Sequence, residues 1–329
     1  CLALAPGFMN KVMAGFFFVI SVIGFKIAKR DIDAVEAELK KKQAEREAQD
    51  LIGDGEIEYI EMQDNVGEFI MNNRKITFEK IQNARDLGGL KNKDGQTIRT
   101  GMLLRTANLS ESTETDTRKL SEEYRLSKVI DLRTEMERNQ KPDVLPETVE
   151  YVVNPIFDER VFGISHEKSE QRNLDEMEVP ALEDLYRMML GEEMCRENFG
   201  RAVRLVMEHD FTTGSVLWHC TEGKDRCGLL AVFLLSALGV EREVIFEDYL
   251  LTNETNVPKA AMVGKQLEAM GMSEARIEAI KNTFLAKESY LNAAYEVVEK
   301  QYGDMETFLR EGLGISEEAI VRFREKVLV

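Results

Sequence analysis

Apolar and polar positions change their rhythm several times along the chain. Val12 to Phe25 (VMAGFFFVISVIGF) is an uncharged run of 14 residues, with Lys11 before it and Lys26, Lys29 and Arg30 after it. The run is short for a membrane span and suits a signal-peptide core, yet the KIAKRD that follows puts charge where the small residues of a cleavage site belong. An uncleaved anchor is the first reading; a cleaved signal for secretion and a buried or peripheral apolar helix are the alternatives. One Lys or Arg precedes the run and six lie from Lys26 to Lys42, a bias that would keep the downstream body on the cytoplasmic side. Membrane association, if present, is thus expected through residues 12–28. Met9-Asn10-Lys11 reads as a natural start. Asp31 to Ile52 is dense in Ala, Glu, Lys and Gln, with Glu36/Lys40 and Glu38/Lys42 at the i,i+4 spacing of an exposed helix, and reads as a stalk or linker.

After Gly53 short β-rich runs alternate with helical periodicity. Lys128 to Leu132, Val149 to Val153 and Ser215 to His219 read as strands, and Phe199, Val203 and Val206 mark one face of a helix over Glu197 to Asp210. Such alternation predicts an α/β body over 53–329, with a central, mainly parallel sheet flanked by helices. Beyond Gly239 the pattern is helical almost without break, around Val244–Asn253, Ala260–Met270, Ser289–Gln301 and Ser316–Val327. Residues 158–180 are polar and poorly periodic, which predicts a surface excursion, either a lid or a passive loop.

The net charge of -17 repels polyanions at long range and argues against a nucleic-acid partner. A phosphorylated substrate would need a small, locally positive pocket. Cys1, Cys195, Cys220 and Cys227 contain no CxxC pair, and His166, His209 and His219 lie far apart, so no zinc or haem spacing can be built.

One segment supplies the pocket. Ser215 to Gly228 (SVLWHCTEGKDRCG), followed by LLAVFLLSALG, reads as strand, tight loop and buried helix ending at Gly239. A loop entering a helix N-terminus aims several amide hydrogens at one spot, where the helix dipole adds positive charge. Cys220 at the start of the loop would be acidified there. Arg226, six positions on, can fold back to hold two phosphate oxygens in line with the sulfur. Attack of sulfur on phosphorus, giving a phosphocysteine that water then hydrolyses, is the chemistry this spacing permits. A tyrosine leaving group needs a proton; Asp225, beside the negative thiolate and phosphate, is the first candidate donor and Asp158 the rival. Cys195, near Met188 and Met189, reads as filler. A nucleotide-binding loop is excluded, because Asp225 follows Gly223-Lys224 where Ser or Thr is required.

These residues resemble the bacterial tyrosine phosphatases with an HCxxGKDR loop, related to dual-specificity enzymes that also accept phosphoinositides. NARDLGG at Asn83–Gly89, LLRTANLS at Leu103–Ser110, VIDLRTEMER at Val129–Arg138, EDYLLTN at Glu247–Asn253 and the segment from Tyr302 to Leu328 extend the resemblance over roughly residues 56–329. It implies the cysteine-dependent phosphatase fold and a phosphorylated protein or phosphoinositide as substrate, with no metal or cofactor; with the charge bias above, the expected setting is the bacterial cytoplasm or the cytoplasmic face of the membrane. It also implies Cys220 as nucleophile, Arg226 as clamp, Asp225 as general acid and Lys224 as a cation at the loop mouth. Thr221, Glu222, Gly223, Cys227 and Gly228 complete the phosphate loop. His219, Arg85 and Asp86 are expected close by, with Arg105, Asp131 and Arg133 chiefly structural.

Two positions depart from that pattern. Glu222 replaces a small residue and adds negative charge at the mouth, against highly phosphorylated lipids. Cys227 replaces a hydroxyl residue that donates to the nucleophilic sulfur, which implies slower turnover and the potential for a reversible disulfide with Cys220. A silent phosphate-binding module would be marked by loss of Cys220 or Arg226, and both are present. A rhodanese-like sulfurtransferase would not require the Lys-Asp-Arg run.

Overall fold

A computed structural model of the protein describes residues 74–158 and 181–329. The apolar run at Val12 to Phe25, the charged segment at Asp31 to Ile52, the division at residue 53 and all of the 158–180 excursion except Asp158 lie outside the described residues.

Five strands form one sheet: β1 (Arg85–Asp86), β2 (Leu103–Thr106), β3 (Leu126–Asp131), β4 (Glu150–Val153) and β5 (Ser215–His219), in the order β1-β2-β5-β3-β4. β1 runs antiparallel to β2, and every other neighbouring pair is parallel. β5 is central, and all five of its residues are buried. With both faces covered, a continuous Val-Leu-Trp run replaces strict alternation. Outer β4 is mostly exposed, with Tyr151 and Val153 open to solvent. The mainly parallel sheet expected from the sequence is present, while β1 and β2 were not legible as strands because so short a segment carries little periodicity.

The helices of the same unit are α1 (Glu114–Glu122), α2 (Glu135–Gln140), α3 (Leu182–Gly191), α4 (Glu193–Met207) and α5 (Asp225–Ala237). Both α1 and α2 begin with reciprocal capping boxes, Thr113 with Asp116 and Thr134 with Glu137. Phe199, Val203 and Val206 of α4 are buried, as their spacing predicts. Nearly every residue of α5 is buried, which explains a sequence apolar on all sides, and Gly239 (φ +78°) ends the run. The Phe199 and Phe233 rings meet edge to face, 5.3 Å between centroids. A second cluster on the sheet joins Leu104, Leu217 and Val129 to Ile81, Leu109 and Leu120.

The longer remaining helices are α6 (Arg242–Leu250), α7 (Thr252–Ala269), α8 (Glu274–Phe284), α9 (Glu288–Tyr302) and α10 (Glu317–Val327), with a short helical turn at Met305–Thr307 leading into a π-helical turn at Phe308–Gly312. Helix α7 begins eight residues before the expected Ala260 and carries Pro258 within it, and α8 was not anticipated. Among the described residues the chain falls into two compact units. The larger takes residues 74–158, 183–252 and 287–329 and contains the sheet. The smaller includes Asn253–Ala286, whose own core is Ala260, Val263, Leu267, Ile280 and Phe284. Asn253 closes it by bonding Ala286 twice, at 2.9 Å and 2.8 Å. No helix among the described residues is long and apolar enough to cross a membrane.

Candidate active site

Central β5 delivers His219 between Thr106 of β2 and Asp131 of β3, so the loop that follows opens at the carboxyl end of the parallel strands. In open α/β sheets that end is where ligands bind. Residues 220–224 form the loop, and α5 starts at Asp225.

Three loop carbonyls are tied from outside. The Asn108 side chain donates to Thr221 O at 2.9 Å, the Asn83 side chain to Glu222 O at 2.9 Å and Arg105 Nη2 to Gly223 O at 2.7 Å. In a planar trans peptide the N–H opposes the C=O, so carbonyls drawn outward turn the amides of Glu222, Gly223 and Lys224 toward the loop centre. Gly223 has φ +67°, and a Cβ there would stand 2.6 Å from Thr106 O. Only glycine fits this close approach.

The tethers are themselves anchored. Buried Asp248 accepts from Arg105 Nη1 at 3.1 Å, Arg74 Nη1 at 2.9 Å and Arg85 Nε at 3.3 Å. Burial opposes its charge, but the three guanidiniums hold its carboxyl well below the usual range. Arg85 also fixes Asn83, donating to Oδ1 at 2.6 Å, and so acts on the loop at one remove. Burial and the neighbouring Arg105 charge lower Arg85 to about 10. Asp86 does not belong to the site as expected: its carboxylate bonds the amides of Gly88 and Gly101 and secures a turn.

Arg226 is buried and fully engaged on one edge. Nη1 and Nη2 donate to the two oxygens of Glu137 at 2.6 Å and 2.8 Å, and the guanidinium lies 5.1 Å from the Phe157 ring. Thr221 Oγ1 donates to the same Glu137. Burial works against the Glu137 carboxylate, but Arg226 keeps it below its ordinary range. Asp158 follows Phe157 in the chain, so the rival donor belongs to this margin of the site. Glu137 was not singled out in the sequence: the one local signal it carries is a Thr-x-x-Glu capping-box pattern, which does not mark it as the partner of an arginine 89 positions away.

Cys220 is buried, 2% exposed. Burial pushes its thiol up, but the Cys227 thiol and amide and the Arg226 charge outweigh that and bring it down to about 6. Cys227 has a single thiol hydrogen and two acceptors, the Cys220 sulfur and the Thr106 carbonyl at 3.8 Å. An ionised sulfur is the stronger acceptor. The thiol therefore keeps the donor place that a hydroxyl holds in the resembled pattern. Cys195 is core, 4.0 Å from the Met188 sulfur, and burial pushes it up to about 12.

Two further expectations need correction. The amide of Gly228 bonds Lys224 O at 2.7 Å and is consumed inside α5, so it offers nothing to phosphate. Its bareness instead admits the Tyr249 ring, which a Cβ would meet at 2.9 Å. Lys224 does not stand out at the loop mouth either: it is 2% exposed, with its ammonium 3.4 Å from Asp225 Oδ1 and 5.7 Å from the centre of the Tyr290 ring.

Behind the loop, His219 Nε2 lies 3.1 Å from Asp143, off line for a hydrogen bond, and 3.9 Å from Asp131. Burial lowers the imidazole, but the two carboxylates raise it more. Asp131, Asp143 and His219 converge enough to suggest a cation site, yet Arg133 already bridges both carboxylates at 2.7 Å and 2.5 Å. That cluster is a structural brace, the role the resemblance implied for Asp131 and Arg133.

A thiolate beneath inward amides and a clamped guanidinium can attack a tetrahedral oxyanion. Residues 76–329 match the model of the tyrosine phosphatase family. The chain belongs to the tyrosine phosphatase family. It is therefore a phosphatase, of the cysteine-dependent kind general to tyrosine phosphatases. A putative tyrosine-protein phosphatase of Cupriavidus necator is 27% identical over 243 residues, 73% of this chain and 84% of that protein. The triple specificity protein phosphatase PtpB of Mycobacterium tuberculosis is 31% identical over 121 residues, 34% of this chain and 44% of its own. A tyrosine-protein phosphatase of Nostoc commune is 31% identical over 151 residues, 45% and 47% of the two chains.

The geometry of this tyrosine phosphatase makes two predictions. Glu137→Ala leaves Arg226 buried without its partner; urea denaturation should show a loss of about 3–5 kcal/mol, and kcat/KM should fall roughly a hundredfold as the clamp drifts. An unchanged kcat/KM would show that Glu137 does not hold the clamp. Iodoacetamide alkylation of Cys220 followed against pH should have its midpoint at about 6. Cys227→Ala removes a donor to the thiolate and should move that midpoint upward.

Proposed function

We propose that this chain hydrolyses phosphotyrosine through a phosphocysteine on Cys220. The observation that carries the reading is the acidified Cys220 sulfur under loop amides turned inward, beside an Arg226 locked by Glu137. Glu137 occupies the Nη1–Nη2 edge of the guanidinium, which leaves the Nε–Nη2 edge as the fork for phosphate oxygens. The amides of Glu222, Gly223 and Lys224 take the remaining oxygen charge, with Thr221 and Cys227 holding loop and sulfur in place.

The Cys220 sulfur attacks phosphorus, an S–P bond forms, and the bond to the tyrosyl oxygen breaks as Asp225 gives that oxygen a proton. Water then attacks phosphorus, Asp225 takes back a proton, and phosphate leaves with Cys220 restored as thiolate. Asp225 is preferred over Asp158 because it opens α5 in the same turn as Arg226, with only 8% of its surface exposed.

Broader action on phosphoserine, phosphothreonine or phosphoinositides ranks second. The resemblance to a triple specificity phosphatase favours it, while the Glu222 charge and the pairing of Lys224 with Asp225 weigh against a second phosphate group. Phosphopeptides of all three residue types and phosphoinositide vesicles, assayed side by side with Cys220→Ser as blank, decide the matter. Phosphotyrosine is expected to lead by about tenfold in kcat/KM. A phosphoinositide hydrolysed as fast or faster would contradict the ranking, and Asp158→Asn, rather than Asp225→Asn, selectively slowing esters of poor leaving groups would reassign the proton donor.

A further inference from the structure

The carboxyl of Asp225 is held unevenly. Oδ1 accepts the Tyr186 hydroxyl at 2.8 Å and lies 3.4 Å from the Lys224 ammonium. The Tyr186 oxygen is in turn 2.7 Å from that of Tyr249. Tyr186 has one hydroxyl hydrogen, and the carboxyl Oδ1 of Asp225 is a better acceptor than a phenol oxygen, so that hydrogen goes to Asp225 and Tyr249 must donate to Tyr186. The hydrogen bonds therefore run in one direction, from Tyr249 to Tyr186 to Asp225, across three different helices, α6, α3 and α5.

Both tyrosines are buried, at 0% and 1% exposure. Burial first, and then the Asp225 charge, pushes both phenols well above their ordinary range, so neither hydroxyl gives up its hydrogen. Their rings stand nearly perpendicular with centroids 6.3 Å apart, and Tyr290 packs on Tyr186 at 5.7 Å. Gly228 leaves the space that brings the Tyr249 ring against α5. The Tyr186 hydroxyl and the Lys224 ammonium both meet Oδ1. Oδ2 is the oxygen left to carry a transferable proton.

We propose that Tyr186 is a positioning residue for Asp225, oriented by Tyr249, which makes Oδ1 the anchor and Oδ2 the oxygen that protonates the leaving group. The inference rests on Asp225 being the general acid. Without the anchor the carboxyl can rotate, and a misplaced donor costs rate in proportion to how much the leaving group needs its proton. In the transfer itself the Oδ2–H bond breaks and the O–H bond of the departing phenol forms, while Tyr186 keeps its own hydrogen.

The test is kcat on two aryl phosphates. Para-nitrophenyl phosphate has a good leaving group that needs little protonation, and phenyl phosphate resembles phosphotyrosine. Tyr186→Phe should lose about tenfold more on phenyl phosphate than on para-nitrophenyl phosphate, the loss of one hydrogen bond to a charged group. Tyr249→Phe should show the same bias, roughly threefold. Equal losses on both esters, or none, overturn the proposal, because a merely structural role would not depend on the leaving group. Asp225→Asn, run in parallel, separates the two levels: no leaving-group bias there sinks the acid assignment and the inference with it, whereas bias in Asp225→Asn alone sinks only the role of Tyr186. If Tyr186→Phe fails to unfold cooperatively, Tyr249→Phe decides, since it retains Tyr186 and removes only what fixes its direction.

Discussion

The site depends on which way five residues of backbone face. Left to itself, a loop such as Cys220 to Lys224 has no reason to present amides rather than carbonyls to its own centre. Asn108, Asn83 and Arg105 settle that by drawing three carbonyls outward. Arg105 is held by Asp248 and Asn83 by Arg85, which Asp248 also binds, so one buried carboxylate in α6 supports two of the three tethers. The third, Asn108, stands two residues past the end of β2. Acidification of Cys220 comes from the Cys227 thiol and amide together with Arg226, because burial alone would have kept the thiol neutral.

The chain as a whole carries -17, and its catalytic chemistry requires an anion to approach. The conflict is resolved by range. Solvent screens surface charge beyond about 10 Å at ordinary salt, while fixed amides and a buried guanidinium act at contact, where little water intervenes. Glu137 does not cancel this. It neutralises one edge of Arg226, fixes the plane of the guanidinium and, through Thr221, ties the clamp to the loop it serves.

Much of this was legible in the sequence where local rules suffice. The Cys-x5-Arg spacing, the buried strand before it and the uniformly apolar helix after it marked the loop, the cysteine at its start and the parallel sheet, since each is a short-range pattern. What was missed is long-range. Glu137 to Arg226, Asn83 to Glu222 and Asp248 to Arg105 join residues 89, 139 and 143 positions apart, and no periodicity records such pairs. The errors have the same origin. Gly228 and Lys224 were placed by their order in the loop, but the first helical turn claims the amide of one, and a salt bridge under Tyr290 claims the ammonium of the other.

The central claim is that the Cys220 sulfur forms a bond to phosphorus, and its most direct test is to catch that bond. Rapid acid-free quenching during turnover of an aryl phosphate, followed by peptide mass analysis, should find one phosphoryl group added to the peptide containing Cys220 and none in Cys220→Ser. A phosphoryl group on another residue, or hydrolysis that persists in Cys220→Ser, would contradict the account.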